Sequence, residues 1–418
     1  MKDKRVLVIG SGGRCHAIID ALSRSNRVGK IYCAPGNGGI ASQAEILPVP
    51  VTDTAALADF AETNNIDMTI VGPEAALAAG IVDEFQNRGL RIFGPTMSAT
   101  RIESSKEFAK KLMAKYGVPT GDYKVFSDFH QAREYVLSHS LPTVIKYDGL
   151  AAGKGVVVAT TYEEAENALR DMLLDATFGD ASVLIEEFLD GPEFSFMCLV
   201  NGHKVYPLAT AQDHKRAYEG DKGPNTGGMG AYSPVPFVTP EIREYALKEI
   251  MQRTADAMCE EGVPFTGVLY GGLIQTVDGP KVIEFNARFG DPETEVVLPR
   301  LESDIYDLFE AVLDGKEFTT EWSDDATLGI VMAAEGYPGK YAKGMPIKGL
   351  DSTSATVYHM GTSVKDGEFQ SAGGRVLMVV GRGETLAAAR EKALAAIEHI
   401  EAPGLFYRRD IGHQSIKN

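Results

Sequence analysis

The chain has 418 residues, with 58 acidic against 41 basic side chains and a formal net charge of −17. That length holds about two to four domains, and the acidic balance excludes a surface-wide basic footprint for nucleic acid. Hydrophobic residues at 44% with 24% charged exclude a disordered chain, and the longest uncharged stretch, 223–240, carries four Gly and four Pro, which excludes a membrane helix.

The four cysteines, Cys15, Cys33, Cys198 and Cys259, are too scattered for a zinc cluster, a redox pair or a disulfide framework. No targeting segment is legible at the N-terminus. A cytoplasmic protein, without membrane or nucleic-acid partners, is expected.

In chain order, apolar runs Val6–Ile9, Ile31–Ala34, Met68–Val71 and Leu90–Phe93 each end in Gly or Pro turns, with helical periodicity over Ala55–Glu62 and Ala75–Asn87. This grammar predicts an open α/β sheet with ligands at the carboxyl ends of its strands. The first such end is Gly10-Ser11-Gly12-Gly13-Arg14, where backbone N–H groups and a guanidinium suit a phosphate. A dinucleotide fold is disfavoured, because Cys15 replaces the third fingerprint glycine and no acid occurs between Asp20 and Glu45. Glycines serving only a tight turn are the plain alternative.

From about Thr100 the pattern changes. A helical segment carries Lys106, Lys110 and Lys111. Strands are expected at Tyr123–Phe126, Pro142–Lys146, Val156–Ala159 and Val183–Phe188, with helices around His130–Ser138 and Tyr162–Leu173: a small α+β lid. Between two of these strands runs Asp148-Gly149-Leu150-Ala151-Ala152-Gly153-Lys154-Gly155. It is not a Walker A loop, since Gly155 stands where Ser or Thr is needed and a strand follows. A glycine hairpin with Lys154 can close over nucleotide phosphates, with Lys146 as a second charge; a solvated hairpin tip is the alternative.

Two strands meet near Asn201-Gly202, a loop runs over 212–238, and a helix is expected at Glu241–Glu260. The loop carries Asp213, Lys215 and Arg216, then GPNTGGMG from Gly223, which suggests anion capture in an acidic protein. The strands Phe265–Val277 and Lys281–Phe285 turn at Asp278-Gly279. At the end of the second, Glu284 and Asn286 share a face by the two-residue period and offer a carboxylate and an amide oxygen to Mg²⁺. Arg288, Asp291 and Glu293 follow in a Gly/Pro turn. Beyond Ala326, further strands and a helix over Glu384–His399 indicate a smaller C-terminal domain.

Taken together these residues resemble the ATP-grasp ligases. GSGGRCHA, APGNGG, TIVGPE, DGLAAGKGV, QDHKR, GPNTGGMGAYSP, IEFNARFGDPE and RRDIG, from residue 5 to about 412, are similar to the phosphoribosylamine–glycine ligase (glycinamide ribonucleotide synthetase) family. The resemblance implies an α/β protein of ATP-grasp fold. An N-terminal open α/β (pre-ATP-grasp) domain would span 1–99 and an ATP-grasp region 100–326, with the lid at about 120–190 and a C-terminal domain at 327–418.

It implies ATP-dependent joining of glycine to 5-phosphoribosylamine through glycyl phosphate, an early step of purine synthesis, with ATP and Mg²⁺ or Mn²⁺, in a monofunctional monomer. Carried over by motif, Lys106, Lys146 and Lys154 touch ATP phosphates, and Glu186, Phe188, Leu189 and Glu193 hold adenine and ribose. Glu284 and Asn286 bind metal, and Arg288 faces the glycine carboxylate or acyl phosphate. Gly12, Gly13, Arg14, Asn37 and Glu74 hold phosphoribosylamine, with Asp213, Lys215 and Arg216 on the substrate side.

The chain departs from the family pattern at Cys15 (usually Glu), Ala76 (usually Pro) and Tyr147 (usually Ala). Cys15, at a helix N-terminus beside Arg14, is expected to have a lowered thiol pKa and to block substrate binding when alkylated. Tyr147 would crowd the nucleotide if it pointed inward. A sister carboxylate–amine ligase and a non-catalytic nucleotide-binding module are the remaining alternatives.

Overall fold

The computed structural model describes residues 2–149, 155–175, 177, 179 and 182–416. Its first unit is a five-stranded parallel sheet of β1 (Lys4–Gly10), β2 (Val28–Pro35), β3 (Glu45–Ile46), β4 (Met68–Val71) and β5 (Ile92–Phe93), in the order β3-β2-β1-β4-β5. The apolar run of β1 is buried on both faces, as a central parallel strand must be. The order reverses at β1, so the crevice at its carboxyl end is the topological switch point. There the helix α1 (Gly13–Ser23) begins. The helix expected at Ala75–Asn87 is two, Glu74–Ala78 and Ile81–Asn87, because Gly80 adopts φ +80° and breaks the run.

The second unit is a lid. Strands Tyr123–Phe126, Val183–Glu187, Thr143–Tyr147 and Val156–Ala159 pair antiparallel in that spatial order. Helices Phe129–Leu137 and Tyr162–Leu173 cover one face. Their core, which includes Phe126, Ile145, Leu169 and Ile185, is separate from the one shared by the rest of the chain. Tyr147 lies in that lid core and away from the cleft that Lys146 faces, which follows from the two-residue alternation of the strand; the expected crowding of the nucleotide is not realised.

A second antiparallel sheet, in the spatial order Lys204–Pro207, Glu193–Asn201, Thr266–Thr276, Gly279–Asn286, forms the floor opposite the lid. The segment expected to be a loop over 212–238 instead contributes strands Gln212–Asp213 and Gly230–Ser233 to a six-stranded sheet built mainly from C-terminal strands, among them Ala326–Ala334 and Arg375–Gly383. The expected helix at Glu241–Glu260 is helical throughout but carries a π segment, Ala246–Gln252, at its centre. No helix among the described residues is long and apolar enough to cross a membrane.

The N-terminal and C-terminal units meet through buried histidines. His16 of α1 accepts the backbone N–H of His359 at 2.9 Å, and His359 Nδ1 lies 2.8 Å from Thr362 Oγ1. Burial, with the neighbouring His359, depresses His16 to about 3, and burial depresses His359 to about 4. The unfolded chain takes up protons near pH 6.5 and the folded chain does not. The contribution of these two histidines to stability is therefore level above about pH 7 and falls as pH drops towards 4, by about 1.4 kcal/mol per unit for each histidine. Urea midpoints at pH 7.5 and 5.0 should show this loss, and the loss should be smaller in His359→Gln. Equal losses in both proteins would remove the pair as its cause.

Candidate active site

Gly10 leaves β1 with φ +131°, a conformation only glycine takes readily, and a Cβ there would strike Cys15 Sγ. The chain then turns so that the N-terminus of α1 faces Asp291: the Arg14 backbone N–H donates to Asp291 Oδ2 at 3.3 Å, and a Cβ on Gly12 would lie 3.2 Å from the same oxygen. A Cβ on Gly13 would collide with Glu295. The glycines thus admit two carboxylates to the loop.

The Arg14 guanidinium donates to Gly72 O (3.2 Å) and Phe289 O (3.0 Å) and lies 3.8 Å from Glu74 Oε2. Arg288 reaches the same Glu74 oxygen at 3.4 Å, Glu103 Oε1 at 3.0 Å and Asn286 Oδ1 at 3.1 Å. Burial pushes the Glu74 carboxyl up, but Arg14 and Arg288 together hold it below the usual carboxylate range. Burial likewise opposes the charge on Arg288, and the Glu103 and Glu74 carboxylates outweigh it. Glu74 therefore joins the glycine loop to the Arg288 site. Asn37 shapes the rim: its Nδ2 donates to Ser11 O and His359 O, both at 2.7 Å, and its Oδ1 accepts from Gly39 and Ile40 N–H.

Across the cleft, Lys106 Nζ donates to Gly149 O at 2.9 Å, at the start of the glycine hairpin; residues 150–154, with Lys154, lie outside the described residues. Asp148 accepts the Glu107 N–H at 3.1 Å and so ties the hairpin to the first turn of the Lys106 helix. Lys146 donates to Glu186 Oε2 and Ile283 O, each at 2.9 Å. Burial lowers the Lys106 pKa, with Glu284 opposing the shift and Lys146 adding to it. Phe188, exposed, and Leu189, half-buried, lie on the link between the lid strand ending at Glu187 and the floor strand beginning at Glu193. The Glu186 carboxylate is engaged by lysines rather than open to a base.

Glu193 accepts Lys215 at 2.5 Å, and that ammonium holds the Glu193 carboxyl low. Lys215 stands 3.8 Å from Asp213, whose pKa burial pushes up to about 7 against the pull of that ammonium. Arg216 does not join them: it is exposed and donates to Gly223 O at 2.8 Å within its own hairpin. Glu284 and Asn286 end the floor strand on one face, and the Asn286 amide oxygen keeps a lone pair beyond the Arg288 bond. Two hard oxygen donors of this kind fit Mg²⁺ or Mn²⁺.

Sequence reasoning passed over Glu103, Glu295 and Arg375. Arg375 pairs with Asp291 at 2.8 Å and donates to Gly227 O at 2.7 Å. No local motif flags it, because it meets the site only through the C-terminal sheet. Cys15 needs correction. Its thiol points back towards Ile9 O (3.6 Å) and the Gly72 turn, only 2% exposed. Burial raises its pKa to about 12, more than Arg14 lowers it, so the expected acidic, reactive thiol is absent.

A cleft of buried lysines between an antiparallel lid and an antiparallel floor is the arrangement of the ATP-grasp class, and this chain is one of that class. Its sequence matches the phosphoribosylglycinamide synthetase N domain over residues 4–103, the ATP-grasp (A) domain over 104–294 and the C domain over 327–414. It is 51% identical to the phosphoribosylamine–glycine ligase of Halalkalibacterium halodurans over 98% of this chain and 97% of that one. It also matches a crystal structure of the Thermotoga maritima phosphoribosylamine–glycine ligase with a TM-score of 0.86 and 32% identity, covering 97% of this chain and all of that one. A Campylobacter jejuni biotin carboxylase, at 15% identity, 97% and 93% coverage and a TM-score of 0.76, shares the fold. The chain belongs to the phosphoribosylamine–glycine ligase family.

Iodoacetamide at pH 8 should leave Cys15 unmodified in the native protein and label the half-buried Cys259 first, as read by peptide mass spectrometry. Native-state labelling of Cys15 would overturn its burial.

Proposed function

We propose that the protein joins glycine to 5-phosphoribosylamine at the expense of ATP, giving glycinamide ribonucleotide, ADP and phosphate in purine biosynthesis, as a cytoplasmic monomer. The observation that carries this reading is Glu74, whose one carboxylate oxygen faces both Arg14 and Arg288. A phosphate at the glycine loop and a carboxylate at Arg288 thereby come within the reach of one small substrate pair.

In this reading Gly12, Gly13 and Arg14 bind the ribosyl phosphate, with Asn37 fixing the loop that presents them. Arg288 holds the glycine carboxylate, and Asp213 and Lys215 face the substrates from the opposite wall. Arg216, turned to its own hairpin, acts at the rim. Lys106, Lys146 and Lys154 take the polyphosphate; the Phe188–Leu189 backbone takes adenine and Glu193 the ribose, with Glu186 behind Lys146. Glu284 and Asn286 would hold Mg²⁺ or Mn²⁺, which neutralises phosphate oxygens when bound.

The γ-phosphoryl group passes to the glycine carboxylate. The ribosylamine nitrogen then attacks the acyl carbon, loses a proton and expels phosphate. Positioning and fixed charge suffice for such transfers, so no nucleophilic side chain is required. The lid keeps water from the glycyl phosphate. The unit boundaries 1–99, 100–326 (lid about 120–190) and 327–418 follow the same reading.

ADP release should require glycine and freshly generated phosphoribosylamine together, and Glu284→Gln should lower kcat by about 10²-fold or more. Release that ignores either substrate would overturn the assignment. Sedimentation should give a single species of 45.0 kDa.

A further inference from the structure

Lys110 belongs to none of the motifs that led to the nucleotide cleft, yet it is only 2% exposed and sits one turn after Lys106 on the same helix face. Its ammonium donates to Thr120 Oγ1 (2.9 Å) and Gly121 O (3.1 Å) and lies 3.0 Å from Glu186 Oε2. Three protons meet three acceptors, so Lys110 has none left for a ligand. Lys146 makes two such contacts, one of them to that same Glu186 oxygen, and its third proton is uncommitted by them. Thr120 in turn donates to Val282 O at 2.8 Å, beside the Ile283 carbonyl that Lys146 uses.

We propose that Lys110 is a positioning residue for polyphosphate recognition: it fixes and partly neutralises Glu186, so that Lys146 keeps both its direction and its net charge for the nucleotide. The inference rests on the reading in which Lys146 meets ATP phosphates. A carboxylate shared by two ammoniums leaves an excess positive charge facing the cleft; shared with one, it forms a neutral pair whose field at a phosphate is weak. Burial lowers the Lys110 pKa against the pull of Glu186; removing Lys110 would leave Glu186 with Lys146 alone.

The test is nucleotide binding by calorimetry, with Mg-AMP-PNP and adenosine as probes. Lys110→Met should weaken Mg-AMP-PNP by about tenfold or more, while adenosine, which has no phosphates, stays within about twofold. In a Glu186→Gln background the same change should cost Mg-AMP-PNP less than about threefold, because no carboxylate is left to capture Lys146. That comparison also serves if Lys110→Met alone does not fold. Parallel weakening of both probes, unchanged Mg-AMP-PNP binding, or an undiminished loss in the Glu186→Gln background would each overturn the proposal and leave the function standing. Wild-type protein without affinity for Mg-AMP-PNP would overturn the nucleotide reading and this inference with it.

Discussion

A guanidinium withdrawn from water must meet a counter-charge, and in this chain none of the three at the centre of the molecule finds one close by in sequence. Arg14 comes from the first turn of α1, Arg288 from the turn after the floor strand and Arg375 from the C-terminal sheet, while their partners Glu74, Glu103 and Asp291 are supplied crosswise. Removing one member of a buried pair leaves the other uncompensated, which is far costlier than any single exposed contact. The ion pairs thus tie the units to one another around the crevice. Asp291 shows this most directly: burial would raise its pKa, and the Arg375 and Arg14 guanidiniums keep it low. Glu295, four residues on, has neither carboxyl oxygen hydrogen-bonded, and burial together with Asp291 pushes its pKa well up. Two acids share two arginines, and the nearer one holds the charge.

The same rule governs the nucleotide side with ammoniums in place of guanidiniums. The lid has its own core and reaches the floor through Lys146, which donates to Ile283 O. Farther out, Arg408, 1% exposed, pairs with Asp221 and Asp410, and Gly412 N–H donates to His214. The C-terminal segment is thereby fastened to the hairpin that follows Lys215.

What was legible in the sequence is what depends on near neighbours. The strand–glycine–helix of residues 4–23 could be read because β1 is continuously apolar and its turn needs Gly10. Glu284 and Asn286 could be placed together because strand alternation fixes their face. What escaped depends on neighbours far along the chain. Cys15 looks like an activated thiol beside Arg14, but it packs on Ile9 and Gly72, and desolvation outweighs the guanidinium. Gly230–Ser233 reads as loop because its pairing partner, Ala326–Ala334, lies nearly a hundred residues on. Arg375 carries no local signature and acts only through that sheet.

One departure from the family pattern, Cys15, lies beside this network. Cys15 occupies a niche bounded by Gly10 and Gly72, both so close that a Cβ on either would strike its sulfur. The α1 terminus meets the carboxylate of Asp291 across the crevice. An anion at this loop must therefore be accommodated beside a resident carboxylate, held in place by Arg375. Because that carboxylate also touches the Arg14 backbone, occupancy of the loop and the seating of the C-terminal sheet bear on one another.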